Sequence, residues 1–193
     1  QVMWLVNFLL LKQGKEKVTL SKLIQSMDNQ TTTSYLPVLN IEDGILKVKE
    51  IGILLENKLV YEVDRDKAAY FFITQGYGEN SRLFLDHIDF EESNAIKIDS
   101  IKRTIKYKWL NEKPYLEFYF KGKGEIEKLS LGKDDLNQYI EEELSLMIED
   151  IMKNEKIDFM NLYSMTSYKN REMWFRYEPN PTLFLEDLEY DIK

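Results

Sequence analysis

The sequence contains no cysteine and only one histidine, His87, among its 193 residues. Without cysteine, disulfide bonds and cysteine-ligated metal sites are excluded. Because there is only one histidine, the sequence offers little scope for the serine–histidine or cysteine–histidine pairs that carry out nucleophilic catalysis. The sequence also lacks internal repeats and long apolar runs. WLVNFLLL, at residues 4–11, is too short for a spanning helix, which needs about 20 residues.

The composition that remains is globular, with an uneven distribution of charge. Hydrophobic residues make up 44% and charged residues 31% of the chain, which is typical of a folded protein. The net charge of −8 argues against a dominant nucleic-acid-binding role, because phosphate binding requires surplus Lys and Arg. Residues 95–133 carry 10 basic and 5 acidic groups, net +5, whereas residues 134–193 carry 6 and 15, net −9. This pattern fits two solvated faces of one domain, or a polarised surface that orients the protein against a partner.

The first 40 residues differ in pattern from the rest. Apolar spacing predicts short helices over residues 3–12 and 19–29, and QTTTSYLP reads as a polar linker that ends at Pro37. We therefore expect residues 1–40 to be a helical fragment of a preceding domain or a linker, with the main domain at 43–193. Because the sequence begins at Gln1 and has no basic leader or small-residue cleavage site, we expect it to be part of a longer protein without its complete signal peptide.

The main domain is predicted to open with a hairpin and a helix. Apolar residues over 45–55 and 59–63 predict two strands around a turn at Asn57-Lys58. Asp64 is the predicted cap of the helix that follows, and Gly76 is its predicted C′ residue.

The middle of the chain is predicted to be β-structure. In AIKIDSIKRTIKYKW the apolar phase flips after Ser100, which predicts a bulge or a bend. LNEKP supplies a turn, and Leu116, Phe118 and Phe120 share one face of the next strand. The glycines of KGKGEIEKLSL predict a bend into a further strand whose apolar residue is Ile126.

The clearest helix is DDLNQYIEEELSLMIEDIMKN, whose apolar residues recur every four positions from Leu136 to Met152. Residues 159–174 have helical spacing, and TLFLEDLEYDIK is predicted to be a closing strand, with Leu183 and Leu185 in alternation. An amphipathic helix of this length needs a sheet to cover. The predicted fold class is therefore α+β, mainly an antiparallel sheet packed against a long amphipathic helix plus shorter helices.

Several segments hold residue types found in catalytic or ligand-binding sites. DHIDFEE, at residues 86–92, holds carboxylates at alternate positions, but it lacks the glycine turn and closing Glu of a calcium loop. GYGEN lacks the strand–loop–helix context of a phosphate cradle. The lysines at 97, 102, 106 and 108 could contact nucleic acid. Because the net charge of the chain is negative, a solvent-exposed face of a sheet is the better explanation for them. The aromatic side chains at 163, 168, 174 and 177 could form a binding patch, but such residues are more often core. These residues predict a binding or assembly domain without cofactor or metal, and not an enzyme.

Four stretches of the chain together resemble the C-terminal domain of the Ger(x)C family, the lipoprotein C subunits of bacterial spore germinant receptors. They are the hairpin and helix over 45–76, the strand pair IKIDSIKRTIKYKW and KPYLEFYFKGKGEIEKL, the helix at 134–153, and DFMNLYSMTSYKNREMW. In the last stretch Asp158, Phe159 and Trp174 match the family pattern, whereas Met160 stands where the family usually has glycine. The resemblance covers residues 35–193.

The resemblance implies a non-catalytic receptor subunit at the outer surface of the spore inner membrane. Its partners would be the polytopic A and transporter-like B membrane subunits, and an upstream lipid anchor outside this chain would attach it to the membrane. The family offers no catalytic residues to carry over. We expect partner contacts at the outer side of the long helix, through Glu141, Glu142 and Glu149, or at the aromatic end around Trp174.

Two other classes of function stay open from the sequence. One is a stand-alone exported module that binds a small ligand, which a screen of amino acids and sugars would detect. The other is a metal-dependent hydrolase built on residues 86–92, which would carry metal when purified.

Overall fold

The structure is a computed structural model that describes residues 33–43, 45–56, 58–64, 67–76, 81–84, 95–128, 133–167 and 171–193. The helices predicted over 3–12 and 19–29 and the acidic segment at 86–92 lie outside these ranges. The division of the chain into units 1–40 and 43–193 stays a prediction. The elements, in chain order, are β1 (Ser34–Glu42), β2 (Ile45–Leu55), β3 (Lys58–Asp64), α1 (Ala68–Thr74), β4 (Ser81–Phe84), β5 (Ala95–Leu110), β6 (Lys113–Lys128), α2 (Lys133–Ile148), a π-helical turn (Glu149–Asn154), α3 (Leu162–Ser167), α4 (Arg171–Trp174), α5 (Pro181–Asp187) and β7 (Glu189–Ile192).

The first sheet is antiparallel, in the order β1-β2-β3. Its β2–β3 hairpin confirms the predicted strand pair. The linker predicted up to Pro37 is wrong from Ser34 onward, because β1 pairs with β2 from Ser34 to Glu42. Within this sheet β1 pairs only with β2, and a proline is tolerated in an edge strand. Tyr35 packs edge-on against Phe71 of α1, with ring centroids 5.4 Å apart, so this strand contributes to the core.

Helix α1 lies directly after the hairpin, and all seven of its residues are buried. The prediction that Asp64 caps it is wrong. Asp64 is the last residue of β3, and the N-cap position belongs to Lys67, which makes no capping hydrogen bond through its side chain. Gly76 is confirmed as the C′ residue, because it follows the C-cap and has a φ of +78°.

The second sheet has the order β4-β5-β6-β7 and is dominated by the 16-residue strands β5 and β6. The register shifts between Ile98 and Ser100, which confirms the bulge predicted from the phase flip. Asn111 and Glu112 form the tight turn, with φ angles of +51° and +61°. The separate strand predicted after the glycines is wrong, because β6 continues unbroken to Lys128, and Ile126 is 54% exposed.

Helix α2 and the π-helical turn cover one face of this sheet, as the amphipathic pattern predicts. Leu144 and Ile148 of α2, and Met152 of the turn, are at most 1% exposed. In the part of the chain that the structure describes, no helix is long and apolar enough to cross a membrane. The predicted α+β class with a mainly antiparallel sheet is confirmed.

The C-terminal region contains three short helices and one parallel strand. The strand predicted over Leu183 and Leu185 is wrong, because these residues belong to α5. The side chain of Asn180 caps this helix and Pro181 is its first residue, and both are helix-start signals. Strand β7 is shorter than predicted, and it pairs parallel to β6.

Candidate functional site

The first candidate is the outer side of α2, here called the α2 outer face and defined as Gln138, Glu141, Glu142, Ser145 and Leu146. These residues line a shallow surface depression. Both glutamates are exposed, and Gln138 Nε2 donates a hydrogen bond of 2.9 Å to Glu142 Oε1. Leu146 is 62% exposed beside them. The face therefore combines negative charge with one large apolar side chain.

Glu149 lies one turn beyond this face and already has an intramolecular partner. The hydroxyl of Tyr190 donates to Glu149 Oε2 at 3.2 Å, and Tyr190 Oη also lies 3.4 Å from the carbonyl oxygen of Ser145. Burial raises the pKa of Tyr190, so its hydroxyl stays protonated and available as a donor. The side chain of Glu149 is exposed, and its hydrogen bond with Tyr190 links β7 to the helical layer.

The structure places Trp174 inside the protein. Its indole is 8% exposed, and its ring centroid lies 3.7 Å from that of Tyr163 and 5.8 Å from that of Phe184. Tyr177 is fully buried in the same cluster. Trp174 and Tyr177 are therefore core rather than part of a binding patch, whereas Tyr168 lies outside the described residues. Phe175, which the sequence interpretation missed, is 55% exposed and therefore accessible to a partner.

A buried carboxylate lies on the opposite face of the second sheet, and the sequence interpretation did not predict it. Glu117 is 6% exposed, and its Oε1 lies 2.8 Å from both Lys108 Nζ and Lys193 Nζ. The hydroxyl of Tyr119 donates to Glu117 Oε2 at 3.3 Å. Hydrogen bonds from Lys108 and then Lys193 lower the pKa of Glu117 to about 2. A carboxylate held ionised in this way serves as the anchor of an ion-pair cluster and is unsuited to general acid catalysis.

A cavity of about 510 Å³ lies between α2 and the second sheet. Its walls are mainly apolar side chains of both layers, including Ile98, Phe120, Leu136, Ile140 and Leu144. Asn137 and Glu141 contribute polar groups. The arrangement is suited to an apolar body with one polar end.

A metal centre finds no support within the described ranges, where no group of three or more His, Asp and Glu side chains could hold an ion. The acidic segment at 86–92 lies outside those ranges, so the metal hypothesis stays untested. The lysines at 102, 106 and 108 are exposed on the solvent-facing side of β5, as predicted.

The comparisons with known proteins agree with the predicted resemblance. No family model and no curated protein matches the sequence. Among solved structures, the crystal structure of the GerBC protein matches with a TM-score of 0.75 and 16% sequence identity. The alignment covers 92% of this chain, which spans 59% of the GerBC chain. The chain therefore has a Ger(x)C-like fold, as the resemblance predicted.

Proposed function

We propose that this chain is part of a non-catalytic subunit of a bacterial spore nutrient germinant receptor. The observation that carries the proposal is the match to GerBC over 92% of the chain. A non-catalytic role is consistent with the chemistry of the described residues, because the buried carboxylate of Glu117 forms ion pairs with two lysines and is not available for proton transfer. The proposed partners are the A and B membrane subunits, and an upstream lipid anchor would hold the protein at the outer surface of the spore inner membrane.

The α2 outer face is the surface that we propose for these partner contacts. Protein interfaces combine an apolar centre with a polar rim, and Leu146 flanked by Glu141 and Glu142 offers both. Trp174 does not join this surface, because its side chain is buried. Glu149 is a weaker candidate than the other two glutamates, because it already accepts a hydrogen bond from Tyr190.

Deleting the gene tests the receptor role itself. Spores without this protein should lose the optical-density response to at least one nutrient, yet still germinate with a trigger that bypasses nutrient receptors. An unchanged response to every nutrient that the parent strain uses would contradict the proposal.

The docking surface needs a separate test in spores that make the full-length protein. Glu141→Lys with Glu142→Lys should weaken the nutrient response, because both charges on the proposed contact surface are reversed. The matched control is Glu56→Lys with Glu178→Lys, which makes the same change in net charge at exposed positions elsewhere. Equal responses in the two double variants, at equal protein levels, would exclude the α2 outer face.

The competing function is a stand-alone exported module that binds a small ligand, and the cavity between α2 and the second sheet favours it. Ligand binding would raise the melting temperature of the purified protein in a screen of amino acids, sugars and apolar acids. Ile140→Trp should abolish such a shift by filling the cavity. A ligand-dependent shift that is sensitive to this substitution, in a protein whose deletion leaves germination intact, would establish the competing function.

A further inference from the structure

The outer face of the second sheet, on the side away from α2, carries a group of exposed lysines. Alternate residues of β5 point to this face, while Ile101 and Ile105 between them pack on the core. Four exposed side chains define what is here called the lysine patch: Lys102, Lys106, Lys121 and Lys123.

The charges of the lysine patch are not neutralised within the described ranges. Lys102 lies directly opposite Lys121 in the β5–β6 ladder, and like charges in that position are destabilising. No acidic residue forms an ion pair with any of the four lysines in the part of the chain that the structure describes.

The neighbouring lysines on the same face do have acidic partners. Lys97 Nζ lies 3.6 Å from Asp99 and 3.7 Å from Glu125, and Lys108 Nζ lies 2.8 Å from Glu117. Glu117 lies opposite Lys106 in the ladder, but its carboxylate is paired with Lys108 and Lys193, so none of the four lysines of the patch has an acidic ion-pair partner in the described ranges. Such a patch is complementary to an anionic surface.

Charge is also polarised across the sheet. The acidic α2 outer face lies on one side of the second sheet and the lysine patch on the other, separated by the thickness of a helix and a sheet. Packed layers are about 10 Å apart, and charges beyond about 8 Å are largely screened at physiological salt. An anionic surface would therefore attract the lysine patch with little repulsion from Glu141 and Glu142.

We propose that the lysine patch docks this domain onto the headgroups of an anionic lipid bilayer, with α2 facing away from the membrane. A sheet face matches a flat surface better than a nucleic-acid groove, which requires a protruding element. Lys106 Nζ lies 4.4 Å from the ring centroid of Tyr119, so a tyrosine lies within the patch, and tyrosine is enriched at membrane interfaces. The proposal does not require a germinant receptor, although in such a receptor it would leave the α2 outer face free for partners.

Vesicle flotation of the full chain tests the proposal. The protein should float with vesicles of phosphatidylcholine and 30% phosphatidylserine at low salt, but not with vesicles of phosphatidylcholine alone, and 0.5 M salt should release it. The loss of one lysine should weaken binding to the anionic vesicles by about fivefold, because each basic residue close to an anionic lipid surface strengthens binding by about that factor. Lys102→Gln with Lys121→Gln should therefore weaken it by about 25-fold.

One substitution separates binding from folding. Lys121→Glu places an opposite charge across from Lys102, so it should raise the melting temperature while it weakens vesicle binding. The matched control is Lys58→Gln with Lys67→Gln, at exposed positions of the β2–β3 hairpin and α1 region. It should leave partition unchanged if the lysine patch, and not net charge, is responsible.

Several outcomes would overturn the proposal. They are flotation that ignores lipid charge, equal partition of the patch and control variants, absence of flotation at low salt, and binding to single-stranded nucleic acid or polyglutamate but not to vesicles. A patch-dependent self-association in sedimentation experiments, without vesicle binding, would assign the lysine patch to a second copy and overturn it equally.

Discussion

Lys153 of the π-helical turn donates a hydrogen bond of 2.8 Å from its Nζ to the carbonyl oxygen of Leu185, near the C-terminal end of α5. The same ammonium group also donates to the carbonyl oxygens of Leu188 and, at 3.3 Å, Glu186. The last carbonyls of a helix lack partners within the helix, and the helix dipole favours a cation there. One side chain therefore joins the π-helical turn to the end of α5.

Replacing Lys153 with methionine should lower the free energy of unfolding by about 2 kcal/mol, because it leaves partly buried carbonyl groups at the end of α5 without their charged donor. Burial lowers the pKa of Lys153, so desolvation of the ammonium offsets part of the benefit of these hydrogen bonds. Urea denaturation measures the change.

The control for this prediction is Lys156→Met. Lys156 forms an ion pair with Glu186, but both side chains are nearly half exposed, so the loss should be below about 1 kcal/mol. Equal effects of the two substitutions would show that the Lys153 contacts do not carry the predicted stability.

The second prediction concerns two glycines of β6 that differ in their surroundings. A Cβ atom at Gly124 would lie 2.3 Å from the backbone oxygen of Lys97, next to the bulge in β5, whereas one at Gly122 would approach only Ser100 O, at 3.8 Å. Gly124→Ala should therefore destabilise the protein by about 2 kcal/mol through backbone displacement. Gly122→Ala should be neutral or slightly stabilising, because alanine reduces the entropy of the unfolded chain. Thermal or urea unfolding of the two variants compares them directly, and a larger loss at Gly122 would contradict the geometry.

These glycines also show why the sequence predicted some features and not others. KGKG suggested a bend, because glycine commonly marks one. The close approach that requires Gly124 comes from Lys97, which is 27 positions earlier in the chain. By contrast, α2 was predictable because its apolar spacing persists over several turns and so identifies a helix without reference to other elements.

Short elements and paired charges were the least predictable. Helix α5 has seven residues, too few for spacing to separate a helix from a strand, and the cap at Asn180 was the better signal. Strand β1 carries Pro37, which favoured a linker because its pairing partner was unknown. The cluster at Glu117 depends on Lys193, 76 positions later, so no local pattern could reveal it. The negative charge of α2 was predicted, but the commitment of Glu149 to Tyr190 was not.

The third prediction separates the buried and exposed members of the aromatic end. Trp174→Ala should lower the free energy of unfolding by about 3–5 kcal/mol, because it leaves a cavity among Tyr163, Tyr177 and Phe184. Phe175→Ala should change it by less than about 1 kcal/mol, because that ring is 55% exposed. A similar small effect of both substitutions, measured by chemical denaturation, would contradict the assignment of Trp174 to the core.

The last prediction is a pH dependence that originates at Asp158. Its carboxyl group is partly buried and accepts hydrogen bonds from the backbone N–H groups of Leu162, at 2.8 Å, and Tyr163, at 2.6 Å. Burial raises the pKa of Asp158 to about 6, from 3.8, although these hydrogen bonds act in the opposite direction. The carboxyl group thus holds the start of α3, and it is protonated more readily in the folded state than in the unfolded state.

The sign of the effect follows from proton uptake. Between about pH 4 and 6 the folded protein binds more protons at Asp158 than the unfolded chain does, so its contribution to stability is complete below pH 4 and falls as the pH rises to 6. The slope is at most about 1.4 kcal/mol per pH unit. Asp158→Asn keeps an oxygen acceptor but cannot titrate, so the stability of the wild-type protein relative to this variant should decline between pH 4 and 6 and stay constant above that range. Other carboxylates titrate in both proteins and cancel in the difference, which urea denaturation at several pH values measures. Parallel stability profiles for the two proteins would show that Asp158 ionises normally in the folded state.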